Sequence, residues 1–220
     1  MTDVRDSETE TPLVGQLLVA AFNVSRQAHR ATGEQWIKAS FRAGGAIPES
    51  AAFKSIQRIG DLDLLCRALE DELLRVYSPE GAIDLRLHYL MLISDLWIGA
   101  AYAITYALTD RGLYKDHAAF QDLAEDLRVV RVQLEKHQIA SDRKLDQPLD
   151  LVTAPGRPGE VRSFQYDKNN RLRAHIGRTG LSARRSVMWE LVDVKANTMR
   201  WVERRGLADR MLQIFTHDAL

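Results

Sequence analysis

The sequence predicts a mainly α-helical protein, built as a helical bundle around an antiparallel pair of long helices, with a small β-hairpin or irregular arm. Apolar residues recur at three-four spacing over most of the chain. A link of only a few residues, around 110–112, separates the two longest such segments, and a link this short makes antiparallel neighbours of the helices it joins. Residues 146–178 instead gather prolines and glycines without helical periodicity, which predicts the arm.

The N-terminal third predicts a tail followed by several helices. Residues 1–11 are charged and lack an apolar run, so we expect a disordered tail there and a single domain over 12–220. Thr11-Pro12 offers an N-cap and a proline at the first helical position, so a helix should run to about residue 31. Further helices are expected over residues 36–41, over 49–59 with Gly60 closing the segment, and over 61–77.

The most apolar segment, Asp84 to Thr109, predicts the central helix of the bundle. Its stretch from Leu90 to Leu108 is nearly long enough to cross a bilayer. Asp95 would be costly in lipid, however, and neither an aromatic belt nor a charge asymmetry brackets the stretch, so we expect no membrane insertion. A second long helix should follow over residues 116–139 and fold back along the first.

The C-terminal third predicts the arm and then helix again. Strands are expected over residues 162–166 and 171–176, on either side of a turn at 167–170. A last helical region should begin near Ser182 or Ser186 and finish over 207–215. The positions expected on one face of this region are Val187, Leu191, Val194 and Trp201.

Composition favours a cytoplasmic protein and leaves the role of its basic C-terminal part open. The single cysteine, Cys66, falls on an apolar helix face and is typical of a small buried residue in a reducing compartment. The net charge is zero, yet residues 157–220 carry thirteen Lys and Arg against seven Asp and Glu. This excess is typical either of a surface for RNA or another polyanion or of a basic lobe packed on an acidic one. We expect the paired arginines Arg184-Arg185 and Arg204-Arg205 to be solvated, and Trp189 and Trp201 to be core residues.

The second long helix carries the chain's main candidate for a chemical site. His137 continues the apolar stripe of this helix, and Arg131 lies on its flank. The stripe consists of Phe120, Leu123, Leu127, Val130 and Leu134. If the chain turns back about Leu113, residues whose numbers sum to about 226 lie at the same height. This register predicts an Asp95–Arg131 ion pair and brings His88 close to His137 in one buried polar layer.

Such a layer has three interpretations. It can be structural, with an ion pair that fixes the helix register and with Glu135 pairing with Arg128 or Arg131. It can be catalytic, with His137 as a general acid or base and Arg131 stabilising negative charge at phosphorus. It can also bind a metal through His88, His137, Glu135 and Asp95, but the nearby arginines would repel a cation, so we expect no metal and no cofactor.

Arg131, five intervening residues and His137, on a late helix of a predicted bundle, resemble the motif of the HEPN superfamily. The resemblance covers roughly residues 84–142, and Val132 stands where that family usually has a polar residue. It implies a helical bundle, often a homodimer, whose active members cleave RNA without a metal. By the same resemblance, Arg131 would stabilise phosphate and His137 would take part in proton transfer or orientation.

The leading expectation is therefore a HEPN-like protein, a metal-independent endoribonuclease of a prokaryotic toxin or defence type. The alternative is a non-catalytic helical scaffold or partner-binding protein that keeps the same residues as a structural polar layer. Solvent access to His137 distinguishes the two, because catalysis on RNA requires a cleft that RNA can reach.

Overall fold

The computed structural model describes residues 13–47, 50–75, 84–153, 162–194 and 198–217, and it confirms a mainly α-helical protein with small antiparallel sheets. The predicted tail over residues 1–11 lies outside the described part. The helices are α1 Leu13–Ala28, α2 Arg30–Gly45, α3 Ala52–Arg75, α4 Leu85–Asp110, α5 Ala118–Lys136 and α6 Arg204–His217. The strands are β1 Leu149–Thr153, β2 Arg162–Tyr166, β3 Thr179–Leu181, β4 Val187–Asp193 and β5 Thr198–Glu203.

Helices α2 and α3 are longer than the sequence predicted. The expected end of the first helix near residue 31 is close to the observed end of α1 at Ala28. The expected start of the next helix at residue 36 and the break at Gly60 are wrong, since α2 already begins at Arg30 and α3 continues through Gly60. Gly60 has a packing role instead, because a Cβ atom at this position would overlap the Trp36 side chain of α2. A residue without a side chain lets the two helices approach closely at the buried tryptophan.

The long helices α4 and α5 form the predicted neighbouring pair. Asp84 caps α4 by accepting a hydrogen bond from the Arg86 backbone, and His117 Nδ1 caps α5 in the same way for Phe120. Among the described helices, α4 alone is long and apolar enough to cross a membrane, and 39% of its most apolar window is buried inside the protein. Trp97 and Leu108 of α4 are fully buried in the bundle core.

The prediction of a helical region that begins near residue 182 or 186 is wrong for the residues up to Glu203. Strands β3, β4 and β5 form an antiparallel sheet in that order, and only α6 beyond it is helical, where residues 207–215 were expected. Val187 and Leu191 are four residues apart, and this spacing places them on one face of a strand as well as on one face of a helix. Trp189 between them is buried, and so are Glu190 and Val192, so both faces of the strand are covered and no one-sided alternation marks it.

The predicted hairpin has one correct strand and one wrong one. Residues 162–166 form β2, whereas residues 171–176 contain no strand, and β2 pairs with β1 on its N-terminal side. Tyr166 fixes this arm to the body because its hydroxyl donates to Asp142 Oδ2 at 2.9 Å. The arm has a small apolar cluster of its own, formed by Ile139, Leu145, Leu151, Tyr166 and Val192.

A buried ionic network joins α3 to α6, and it corrects the expectation that Arg204 is solvated. Arg204 has no exposed surface, and its two terminal nitrogens donate to Asp63 Oδ1 at 2.6 Å and Glu70 Oε1 at 2.8 Å. Arg67 donates to the other oxygen of Asp63, and Trp36 does the same through its indole nitrogen. Burial works against ionisation of Asp63, but Arg204 and Arg67 outweigh it, so its pKa is lowered.

Candidate functional site

An open groove between helices α4 and α5 carries the candidate site. Tyr102 and Tyr106 of α4 line it with their ring centroids 6.0 Å apart, and Arg128 and Arg131 reach it from α5. Two adjoining cavities of about 400 and 610 Å³ share the two tyrosines. The groove therefore combines two partly exposed aromatic rings with two guanidinium groups.

Arg131 is held in the groove by a tyrosine and a glutamate. Its guanidinium carbon lies 4.6 Å from the centroid of the Tyr102 ring, which is cation–π geometry. Its Nε donates to Glu135 Oε1 and its Nη2 contacts Glu135 Oε2, each at 2.7 Å, and the hydrogen bonds to Glu135 raise the pKa of Arg131. The pairing of Glu135 with an arginine of its own helix is thus confirmed.

Arg128, one turn before Arg131, points to the other end of the groove. It pairs with Glu125 at 2.7 Å and also donates to Ser141 Oγ at 2.9 Å. Ser141 precedes the short 3-10 helix Asp142–Lys144. Arg128 consequently links the groove to the segment that leads into the arm.

The predicted Asp95–Arg131 ion pair is wrong. Arg131 packs against Tyr102, seven positions beyond Asp95, which is about 10 Å along the helix. The link between α4 and α5 is not symmetrical about Leu113. A given residue of α5 therefore faces a residue of α4 about two turns later than the predicted one. Asp95 instead accepts a hydrogen bond from the buried Trp189. Partial desolvation of its carboxylate raises the pKa of Asp95 despite that bond.

His137 does not lie on the buried stripe, which is a second correction. Helix α5 ends at Lys136, and His137 is its C-cap in the left-handed conformation, with φ 51° and ψ 41° and an exposed side chain. Its backbone N–H donates to the Gln133 carbonyl, and its own carbonyl accepts from the His175 N–H at 2.7 Å. The left-handed residue turns the chain before the apolar repeat can continue.

The remaining predicted residue, His88, lies far from this region. It is exposed near the start of α4, where its ring contacts Tyr89 edge to face at a centroid distance of 5.6 Å. Fourteen positions separate it from Tyr102, or about 20 Å of helix. The buried polar layer of Asp95, Arg131, His88 and His137 therefore does not form. Over the described ranges, no three His, Cys, Asp or Glu side chains are grouped as metal ligands would be.

Sequence reasoning missed the aromatic part of the site. Tyr102 and Tyr106 are four residues apart and thus share a helix face, which is the available signal, but the apolar run around them predicts a core helix. Trp201 was likewise expected in the core and is 44% exposed, on strand β5, with Arg178 5.9 Å above its ring. Exposed rings beside arginines offer stacking surfaces as well as positive charge.

The arrangement can bind a flat ring and an anion at the same time. The exposed residues at the end of α5 and in the segment that leads into the arm include further cations, namely Lys136, Arg143 and Lys144. Comparisons of the chain with models of protein families, with curated proteins and with solved structures find no match. The functional argument therefore depends on the side chains of the groove.

Proposed function

We propose that this protein is a HEPN-like RNA-binding protein whose α4–α5 groove holds single-stranded RNA, and that it cleaves RNA without a metal through Arg131 and His137. The observation that carries the proposal is the juxtaposition of Arg131 with the half-buried Tyr102 and the exposed Tyr106 in an open groove. A tyrosine ring can stack on a base, and an adjacent guanidinium can bind the phosphate that follows it.

The solvent access of His137 supports the catalytic part of the proposal. An exposed imidazole at a helix end can reach a bound substrate, whereas a sealed one cannot. In the proposed step, the ribose 2′-oxygen attacks the neighbouring phosphorus as His137 takes its proton. The bond to the 5′-oxygen of the next nucleotide breaks, that oxygen takes a proton from solvent water, and His137 returns its proton to the solvent. Arg131 stabilises the charge on the phosphoryl oxygens. The products are a 2′,3′-cyclic phosphate and a 5′-hydroxyl end, so no oxidant or cofactor is consumed.

The Glu135 carboxylate favours a second candidate function. Glu135 neutralises Arg131 through two contacts at 2.7 Å, so a phosphate must displace or share this partner before it binds. A protein in which the pair persists would be a non-catalytic scaffold or partner-binding protein. Glu135 and Arg131 are both partly solvated, and an ion pair in that setting contributes little free energy, which makes its exchange for a phosphate inexpensive.

The test measures binding and cleavage separately. Purified protein is incubated with a pool of single-stranded and structured RNAs in the presence of a chelator, beside His137→Ala, Arg131→Ala and Tyr102→Ala. His217→Ala is the matched control, since His217 is also an exposed histidine at a helix end. We expect His137→Ala to abolish cleavage while retaining binding, and Tyr102→Ala to weaken binding, by roughly the 1–3 kcal/mol typical of base stacking.

The outcomes separate the two candidate functions. Equal cleavage by wild type and His137→Ala removes the catalytic assignment, and binding without any cleavage supports a partner-binding role for the groove. Wild-type protein that binds none of the RNAs contradicts the whole proposal. Termini other than a cyclic phosphate and a 5′-hydroxyl would contradict the proposed step.

We further propose that the protein acts in the cytoplasm, as a homodimer and without membrane insertion. The fully buried Cys66 thiol, whose pKa burial raises to about 11, supports a reducing compartment. The packing of Trp97 and Leu108 into the bundle core supports a protein environment for α4. Fractionation of cells that express the full chain, with detection in the soluble or membrane fraction, tests the location.

A further inference from the structure

Helix α1 is apolar around most of its circumference and yet lies largely in solvent. None of the residues 13–20 is buried or half-buried, and the large apolar side chains among them are 54–72% exposed. These side chains are Leu13, Val14, Leu17, Leu18 and Val19. A helix that is apolar on several sides is normally covered by other protein or by lipid, so this half of α1 lacks the environment that its sequence requires.

A second exposed apolar surface lies beside α1 on helix α2. Ile37 and Phe41 are 52% and 66% exposed, and they border a cavity of about 530 Å³ whose floor includes the buried Trp36. Arg26 in the last turn of α1 lines the same cavity, so the C-terminal end of α1 borders this groove and the exposed residues continue from there along the same helix. We call the exposed part of α1 together with Ile37 and Phe41 the α1–α2 face.

The charges that line the groove are already paired within the chain. Arg26 donates to both carboxylate oxygens of Asp61 at 2.9–3.0 Å, and Arg30 pairs with Glu34 at 3.0 Å. A partner surface with the same composition would therefore meet neutral pairs rather than like charges. Apolar contact can then decide the association.

These features argue against lipid as the covering layer. Helices that lie on a membrane surface carry Lys and Arg on a polar face, whereas the only charged residue of α1 is Arg26, which is held by Asp61. A protein surface fits this observation better.

The size of the surface fits a dimer. The large apolar residues of the α1–α2 face, with Val24, expose about 800 Å² in total, which is close to the roughly 800 Å² per partner of a standard interface. A two-fold axis brings a patch against its own copy, so one chain supplies both halves. Gly15 leaves open space around its Cα, which allows another helix to approach closely.

We propose that the α1–α2 face binds the same face of a second copy of this chain, with α1 of each copy packed against α1 and the Ile37–Phe41 edge of the other. This inference gives an interface to the homodimer of the proposed function. It does not depend on RNA cleavage, which is measured by a different assay.

The experiment measures the molar mass of the full chain over a concentration series by light scattering and by sedimentation. Leu17→Glu and Phe41→Glu place a charge in the proposed interface, and Leu96→Glu and Leu172→Glu are matched controls on exposed residues elsewhere, 58% and 90% exposed. We expect a dimer for wild type and for both controls. Both interface variants should raise the dissociation constant by about tenfold or more with unchanged circular dichroism.

Disulfide trapping gives a second readout that does not depend on loss of association. Leu18→Cys adds a thiol on the exposed part of α1. The only native cysteine, Cys66, has no exposed surface and should form no disulfide between copies. Oxidation should join two copies of Leu18→Cys but not two copies of Leu172→Cys. A monomeric wild type, a dimer disrupted by Leu96→Glu but not by Leu17→Glu, or recovery of wild type on vesicles of neutral and anionic lipid would each overturn the inference.

Discussion

Replacement of the buried Arg204 should strongly destabilise this protein. Arg204→Met keeps much of the side-chain volume but removes the donors at 2.6 Å from Asp63 and 2.8 Å from Glu70, both of which are fully buried. Leaving a buried charge without its partner typically costs about 3–5 kcal/mol. Asp63 keeps Arg67 and Trp36, so we expect a loss at the lower end, about 3 kcal/mol.

The free energy of unfolding is measured by urea titration with circular dichroism, and Arg30→Met serves as the control. Arg30 forms an exposed ion pair with Glu34, with 85% of its side chain in solvent, so its loss should not change stability measurably. Glu70→Gln should lower the free energy of unfolding less in the Arg204→Met background than in wild type, because it removes one of the two carboxylates that have lost Arg204 as a partner. A loss under about 1 kcal/mol for Arg204→Met would refute the argument, since it would mean that the carboxylates find other partners or water.

The same network predicts the response of stability to acid. Asp63 has a folded pKa below its ordinary value, because Arg204 and Arg67 outweigh the effect of burial. Its contribution is therefore present above the unfolded pKa of about 4 and is lost as the pH falls through the folded pKa. Arg204→Met weakens the cause of this shift, so the variant should lose less of its stability than wild type when the pH is lowered below about 4.

Three further predictions concern other buried positions. Gly177→Ala should destabilise the fold by about 1–3 kcal/mol in urea, because the new Cβ would overlap Gln133, whereas Gly45→Ala, which meets open space, should not destabilise it. Burial lowers the pKa of His175, and neither of its ring nitrogens has a hydrogen-bond partner among the described residues, so stability should fall as the pH drops below about 6.5. His175→Phe should flatten that slope by at most about 1.4 kcal/mol per pH unit, and an unchanged slope would contradict this. Cys66, with a pKa of about 11 and no exposed surface, should react with a thiol reagent only as fast as the protein unfolds, and rapid labelling of the native protein would show an opening absent from this fold.

Local patterns predicted the helices well where one periodicity ran without competition. The central helix α4 was placed within about one residue at each end, because its apolar run begins after the capping Asp84 and ends before the turn at Gly112. Strand β4 was missed because an apolar spacing of four residues fits a strand as well as a helix. The pairing of β2 with β1 instead of a following strand was not visible either, since strand partners are chosen by contacts between distant residues.

The site was predicted only in part, and its errors share one cause. The pairing of Glu135 with Arg131 depends on a separation of four residues in one helix, and it was correct. The Asp95–Arg131 pair depended on the register between two helices, which the shape of the intervening turn decides. His137 was misplaced because a single residue in the left-handed conformation ended the helix early.

The sequence alone determined the helical character of this protein, the antiparallel order of α4 and α5, and the ion pairs formed within one helical turn, because each depends on residues close together in the chain. The tertiary structure decided which charged residues are buried. In the sequence, Arg204 cannot be distinguished from a solvated arginine. It becomes a core residue only because α6 folds onto α3, where it contacts Asp63 and Glu70, each more than 130 positions away in the chain. Burial and long-range pairing are properties of the assembled fold, since the free energy of a charge depends on the groups and the water that surround it.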